Sequence, residues 1–169
     1  MRHNEAVRLD ERHAEQYQRL RGEALRDEPL SFGASPETDF SASLDAVRDQ
    51  LRGDATMILG AFEGDELAGC VGLLRSRHAK ARHKLQLWGM YVLPRWRRRG
   101  IGLALLGEAI EQARAMRDVE WIELGVTSRS AAARALYAKA GFEEWGCERD
   151  ALRHDGESVD EYRMALRLR

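Results

Sequence analysis

The chain has 169 residues, of which 44% are hydrophobic and 33% are charged, and this length suits one domain with its own core, spanning residues 1–169. The 27 basic and 28 acidic residues give a formal net charge of -1, so the whole molecule has no field that draws it to nucleic acid or to an anionic membrane. Two cysteines are too few for a disulfide framework, and no apolar run reaches the length of a membrane span. We therefore expect a cytoplasmic protein that binds neither membrane nor nucleic acid.

Helical periodicity dominates the N-terminal part of the chain. Asp10 can cap a helix over residues 11–27, along which apolar residues recur at helical spacing. After a proline-containing loop, Ser41 or Ser43 can cap a second helix that Gly53 closes. The sequence therefore predicts two short helices before any strong strand.

The period changes to that of strands in the middle of the chain. Two apolar runs, residues 57–62 and 67–74, flank the turn Glu63-Gly64-Asp65 and predict a hairpin. A third strand follows over residues 85–92 and is stopped by Pro94. Three successive strands predict an antiparallel meander.

The C-terminal half alternates between helices and strands. The predicted elements are a helix over residues 101–116, a strand over 121–126, a helix over 130–140, and strands over 142–152 and 159–168. The whole pattern predicts an α/β (α+β) fold in which one mixed, mostly antiparallel sheet is flanked by four helices.

The segment that carries chemistry is a basic, glycine-containing turn that leaves the third strand and opens the long helix, Val92-Leu93-Pro94-Arg95-Trp96-Arg97-Arg98-Arg99-Gly100-Ile101-Gly102. The first N–H groups of a helix lack intrahelical partners and the helix dipole is positive there, so they can bind phosphate oxygens. Gly100 and Gly102 have no side chain that obstructs a phosphate, and the arginines add bidentate donors. The turn predicts a site for a phosphate-bearing ligand.

Three other ligands compete for this turn. A P-loop needs Gly-Lys-Ser/Thr at its end, which is absent, so ATP and GTP are disfavoured. A dinucleotide fingerprint needs a small residue where Leu105 stands, although Glu123 lies at the expected distance downstream. A nucleic-acid-binding module would use residues 95–99, with Trp96 as a stacking surface. The last class remains the alternative.

The turn resembles the hallmark of the GNAT superfamily of acyl-CoA-dependent N-acetyltransferases, Arg/Gln-x-x-Gly-x-Gly/Ala after a strand that ends Val-x-Pro. Residues 97–102 match it after Val92-Leu93-Pro94. A second family element is matched by Ser130, Ala133-Arg134-Ala135-Leu136-Tyr137 and Gly141-Phe142. The resemblance runs from about residue 55 to the end. It implies a GNAT-like sheet of roughly seven strands, acetyl-CoA as co-substrate, and a small-molecule or peptide amine as acceptor.

The resemblance also assigns the residues of a cofactor site. They are Met90, Tyr91, Val92, Arg97, Arg98, Arg99, Gly100, Ile101, Gly102, Ser130, Ala133 and Tyr137. The Met90 N–H would face the thioester carbonyl, and Val92 would bond the pantetheine arm. The sequence departs from the family at Arg98, where glycine is common, and at Ser130, where asparagine is common. The second change shortens the reach of a side-chain hydrogen bond to pantetheine.

Two catalytic residues follow from the same resemblance. Besides Met90, Tyr137 is implied as the general acid, because a phenol with a pKa of about 10 is protonated at neutral pH. The need to deprotonate the amine adds His83 as a candidate base, since it stands at the entry to the third strand and an imidazole with its ordinary pKa near 6.5 suits that role. Glu123, Glu28 or a water chain are alternatives for this role.

The resemblance implies an acceptor pocket between the loop over residues 28–40 and the acidic hairpin loop over residues 150–161. A catalytically silent acyl-CoA sensor would keep the phosphate turn and need no acid. The five histidines are scattered without a ligand spacing, so no metal is expected. Exposed strand edges make a homodimer an expectation as well.

Overall fold

The computed structural model describes residues 5–169, which form a seven-stranded sheet in the order β1-β2-β3-β4-β5-β7-β6. The strands are β1 (Ala6–Arg8), β2 (Thr56–Glu63), β3 (Glu66–Arg75), β4 (Lys84–Val92), β5 (Trp121–Thr127), β6 (Glu143–His154) and β7 (Glu157–Arg167). The helices are α1 (Ala14–Asp27), α2 (Leu44–Arg52), α3 (Ile101–Ala115) and α4 (Ala131–Lys139). Neighbouring strands are antiparallel except β4 and β5, which run parallel. The predicted mixed, mostly antiparallel sheet with four helices is confirmed.

The N-terminal elements differ from the prediction in two details. β1 precedes both helices and pairs with β2, and the sequence did not predict this three-residue strand. Residues 11–13 form a tight 3-10 turn, in which the Asp10 carboxylate accepts from the Arg12 N–H, before α1 begins. Ser43, not Ser41, caps α2 by accepting from the Ala46 N–H at 3.3 Å.

The sheet has a hydrophobic cluster on each face. On one face α3 buries Leu105, Leu106 and Ala109 against inward-facing strand residues such as Ile122 and Leu124. On the other face α1 and α2 bury Tyr17, Leu20 and Val47 against residues that include Cys70 and Tyr91. The alternation of β-strand side chains therefore puts neighbouring residues of one strand into different cores.

The sheet opens between β4 and β5. Their pairing covers only Lys84–Gln86 opposite Trp121–Glu123. Farther along β4 the register with β3 shifts by a bulge, and Gly89 takes a positive φ of 63° there. The remaining backbone of β4, up to Val92, therefore faces a gap instead of a neighbouring strand.

Candidate active site

A cleft of about 630 Å³ lies where the sheet opens, a volume within the usual range of small-molecule sites. Four parts of the chain form its walls: the end of β4, the turn into α3, the start of α4 and the segment after α1. Its lining residues are Asp27, Glu28, Pro29, Leu30, Ser31, Met90, Tyr91, Val92, Trp96, Arg97, Arg98, Gly100, Ile101, Gly102, Arg129, Ser130, Ala131, Ala132, Ala133 and Leu136. Ten of the twelve predicted cofactor-binding residues lie here; Arg99 and Tyr137 do not.

The N-terminus of α3 forms one end of the cleft. Gly100 caps it with a φ of 83°, a left-handed conformation that glycine adopts without strain. A Cβ built on Gly102 would lie 3.4 Å from Leu136 Cδ2 and 3.6 Å from Met90 Cε. Gly102 therefore keeps the backbone close to both opposite walls, where a larger side chain would fill the space. The free N–H groups of a helix start point to an anionic ligand at this end.

Arg97 is held by acidic neighbours on the inner side of the turn. Its Nη2 donates to Glu28 Oε1 at 2.7 Å and to Asp27 Oδ2 at 3.2 Å, and its Nε donates to the Val92 carbonyl at 2.9 Å. The guanidinium also lies 5.4 Å from the centre of the Tyr91 ring. Arg97 therefore connects the phosphate turn, which is the segment between β4 and α3 (residues 93–100), to the end of α1.

Asp27 and Glu28 bring negative charge to the cleft wall beside Arg97. The Tyr91 hydroxyl donates to Asp27 Oδ2 at 3.0 Å, and burial together with this carboxylate raises the pKa of Tyr91. Both acids stand at the C-terminal end of α1, where the helix dipole disfavours anions. Sequence analysis missed Asp27, although two acids at such a position were a usable signal of a functional role.

Hydroxyl groups connect α4 with the segment after α1. Ser130 Oγ lies 3.0 Å from Ser31 Oγ and 3.4 Å from Thr127 Oγ1. Ser130 precedes the first residue of α4, whose starting alanines also line the cleft. The predicted site residue is therefore in the cleft, and its hydroxyl contacts an unpredicted partner, Ser31.

Tyr137 lies deeper than expected. It is 5% exposed, and its ring packs against Phe142 with the two centres 5.8 Å apart. Burial raises the pKa of the phenol, so the group stays protonated at neutral pH. Its helical neighbour Leu136 lines the cleft.

The structure does not bring His83 or Glu123 to the cleft. His83 comes directly before β4, seven residues before Met90, and does not line the cleft. Glu123 lies near the same end of β4, where it accepts from Lys84 Nζ at 2.5 Å. This placement does not support His83 as the base at Met90, and that role stays a prediction. Of the three side chains considered, Glu28 alone lines the cleft.

Arg95 and Arg97 of the basic run are paired with acidic side chains at the protein surface. Arg95 forms ion pairs with Glu66 and, at 3.6 Å, with Glu23. The Trp96 indole donates to Glu66 at 2.6 Å, and the Arg99 guanidinium covers its ring at 4.7 Å from the centre. These contacts weaken the nucleic-acid alternative, because the aromatic face that would stack a base is already covered.

The acidic hairpin loop forms its own recess rather than a wall of the cleft. Residues 150 and 153–158 line that recess. Asp150 pairs with Arg153, and Asp160 accepts from Arg149 at 2.7 Å. None of residues 150–161 lines the cleft. The loop contacts the cleft wall through an ion pair between Glu157 and the cleft residue Arg129.

Residues 5–169 contain no group of three or more His, Cys, Asp or Glu side chains placed to hold a metal ion. No helix among them has the length and apolar character needed to cross a membrane.

Comparison with known proteins fits this geometry. An acetyltransferase of GNAT family from Streptococcus pneumoniae superposes with a TM-score of 0.83, at 24% identity over 96% of this chain and 98% of that chain. The structure of yncA from Salmonella typhimurium with its cofactor acetyl-CoA gives 0.83 at 20% identity, over 97% and 93%. The fold is therefore that of the GNAT acetyltransferases.

The sequence comparison goes further than the fold. Residues 15–142, more than half of the chain, match the Acetyltransferase (GNAT) family. The L-amino acid N-acetyltransferase AaaT of Escherichia coli (strain K12) is 40% identical over 78 residues, which cover 46% of this chain and 48% of that relative. The match thus spans about half the length of the relative. This chain belongs to the GNAT family.

Proposed function

We propose that the protein transfers an acetyl group from acetyl-CoA to a primary amine, directly within a ternary complex. The observation that carries the proposal is the open edge of β4, which lies beside the N-terminus of α3 in one cleft. A backbone edge suits the amide-bearing pantetheine arm, and a helix N-terminus suits the diphosphate.

The chain's own residues fit acetyl-CoA at both ends. Gly100 and Gly102 give a phosphate access to the first N–H groups of α3. Met90 and Val92 lie on the part of β4 that has no pairing with β5, and the Val92 carbonyl there accepts from Arg97 Nε. Acetyl-CoA would supply the activated acetyl group, and the Met90 N–H would orient and polarise its carbonyl. The guanidinium of Arg98, which lines the cleft, adds positive charge near the phosphates.

Tyr137 is the proposed general acid. Burial raises the pKa of this phenol, so the group holds its proton at neutral pH until the departing thiolate takes it up. Leu136, the residue before Tyr137 in α4, lines the cleft. Its position supports a short path for the proton from the Tyr137 phenol to the thiolate.

Glu28, directly or through a water molecule, is the proposed base. A proton acceptor is required there because an alkylamine with a pKa of about 10 arrives mostly as ammonium. Glu28 lines the cleft, and the neighbouring Asp27 adds a second negative charge that attracts the ammonium. The name of the relative AaaT, an L-amino acid N-acetyltransferase, supports a small-molecule amine over a peptide.

The test is Tyr137→Phe, assayed by release of free thiol from acetyl-CoA with a panel of amines. We expect unchanged acetyl-CoA affinity and a fall in kcat of about a hundredfold or more. The matched control is Tyr162→Phe, since Tyr162 lies on β7 under Arg134 and outside the cleft. Full turnover in Tyr137→Phe removes the acid assignment. Tight acetyl-CoA binding without thiol release for any amine would instead identify a non-catalytic acyl-CoA sensor.

A further inference from the structure

A buried arginine lies behind the bulge of β4. Arg21 is on α1, and its side chain is 7% exposed. Its Nη2 donates to Asp39 Oδ2 at 2.9 Å and its Nε to Asp39 Oδ1 at 3.3 Å. Asp39 is itself fixed, because its side chain accepts from the Ser41 N–H at 3.0 Å. The guanidinium is therefore held in one orientation.

One edge of that guanidinium has no partner. Arg21 Nη1 is buried and makes no hydrogen bond to any described residue. The rings of Phe32 and Trp88 flank the group, with their centres 5.0 and 5.4 Å from Cζ. A buried charged donor without an acceptor costs several times an ordinary hydrogen bond, so natural proteins rarely keep one without a use.

The unpaired nitrogen lies beside the bulge of β4. A Cβ built on Gly89 would be 3.4 Å from Arg21 Nη1. Gly89 precedes Met90, a residue of the cleft wall whose N–H is the proposed donor to the thioester carbonyl. Phe32, Trp88 and Gly89, which cover the guanidinium, are each partly exposed, and neither they nor Arg21 are among the residues that line the cleft. An acceptor that reaches Nη1 must therefore displace part of this cover.

We propose that Arg21 binds a carboxylate of the acceptor, so that the substrate is an amine that also carries a carboxylate. This inference rests on the proposed acetyl transfer. A guanidinium presents planar, fixed donors that match a carboxylate, and Asp39 already occupies the other edge. A side chain on Gly89 would begin 3.4 Å from Nη1, so glycine keeps this position clear beside the unpaired nitrogen. Arg21 thus selects the acceptor, while the acids Asp27 and Glu28 attract its ammonium.

The wild-type protein tests the inference without any variant. Thiol release is measured for each common L-amino acid and for its carboxamide. A site that hydrogen-bonds one substrate group rejects analogues that lack it, so we expect kcat/KM for the best amino acid to exceed that of its amide by about a hundredfold. The comparison is stringent, because the amide has the less basic amine and more of it is neutral at pH 8. Propionate should compete with the amine and not with acetyl-CoA.

Arg21→Lys then assigns the preference to this residue. We expect the KM of the best amino acid to rise at least tenfold while kcat, the KM of acetyl-CoA and the activity on the amide stay near wild type. Arg19→Lys is the matched control on a more exposed position of α1. Acetylation of amines with no preference for a carboxylate, or a preference that survives in folded Arg21→Lys, overturns the inference alone. Absence of acetylation for every amine overturns the proposed function as well.

Discussion

Replacing Gly102 by leucine tests how the phosphate turn works. The two nearest wall atoms would lie 3.4 Å and 3.6 Å from a Cβ at this position. A single methyl group fits at those distances, but the further atoms of leucine must enter the cleft. We therefore expect Gly102→Ala to bind acetyl-CoA normally and Gly102→Leu to lose phosphate contacts.

The magnitude follows from the contacts at risk. One hydrogen bond to a charged group contributes about 1.5–3 kcal/mol, so the loss of one predicts roughly a tenfold to hundredfold weaker Kd for acetyl-CoA. Stability should move the other way or stay constant, because leucine is a better helix former than glycine by about 0.5–1 kcal/mol. Titration calorimetry with CoA and acetyl-CoA, alongside thermal unfolding, measures both effects.

Gly107 supplies the matched control. It lies in the same helix and is exposed, and a Cβ built on it would have no other atom within 4 Å. Gly107→Leu should raise Tm by about 1–4 °C and leave the Kd unchanged. The reasoning fails if Gly102→Leu binds acetyl-CoA as tightly as Gly107→Leu does.

Two further predictions concern charged side chains. Glu28→Gln should lower kcat about a hundredfold near neutral pH, with partial recovery at higher pH as more amine becomes neutral; an unchanged pH-rate profile would leave water as the base. For Asp39, burial raises the pKa, but the hydrogen bonds from Arg21 and Ser41 outweigh it and the net pKa is lowered. Asp39→Asn should therefore cost about 3 kcal/mol of unfolding free energy at pH 7. The difference from wild type should begin to shrink as the pH falls below about 4, where the carboxylate of the unfolded chain takes up a proton, and it should be lost at the lower pH at which the folded carboxylate is protonated; a constant difference down to about pH 2 in urea melts would contradict this.

Local patterns in the sequence predicted most of the fold. Helix periodicity with a capping serine placed α2, and the turn at Gly64 placed the hairpin of β2 and β3. β1 was not predicted, because three residues are too few to show the alternation of a strand and this segment is a strand only through its pairing with β2. The phosphate turn was predictable because its glycines and arginines are contiguous in the chain.

The remaining site residues come together only through tertiary contacts. His83 and Met90 lie seven residues apart in the sequence, and the extended strand places His83 before one end of β4 and Met90 near the other end. Asp27, by contrast, is far from Tyr91 in sequence and within hydrogen-bond distance in space. Gly89 was the missed local signal, since a glycine inside a strand pattern often marks a bulge. That bulge brings Gly89, the neighbour of the cleft residue Met90, next to Arg21.

The proposed function requires acetyl-CoA to bind at the opened edge of β4 and the start of α3. Thermal unfolding with acetyl-CoA, CoA, NAD, ATP and a short oligonucleotide measures this binding directly. A ligand at about 100 times its Kd adds about 2.7 kcal/mol, which corresponds to a rise in Tm of roughly 5–10 °C. We expect this rise with acetyl-CoA and CoA alone. Stabilisation by the oligonucleotide and by neither CoA ligand would contradict the account.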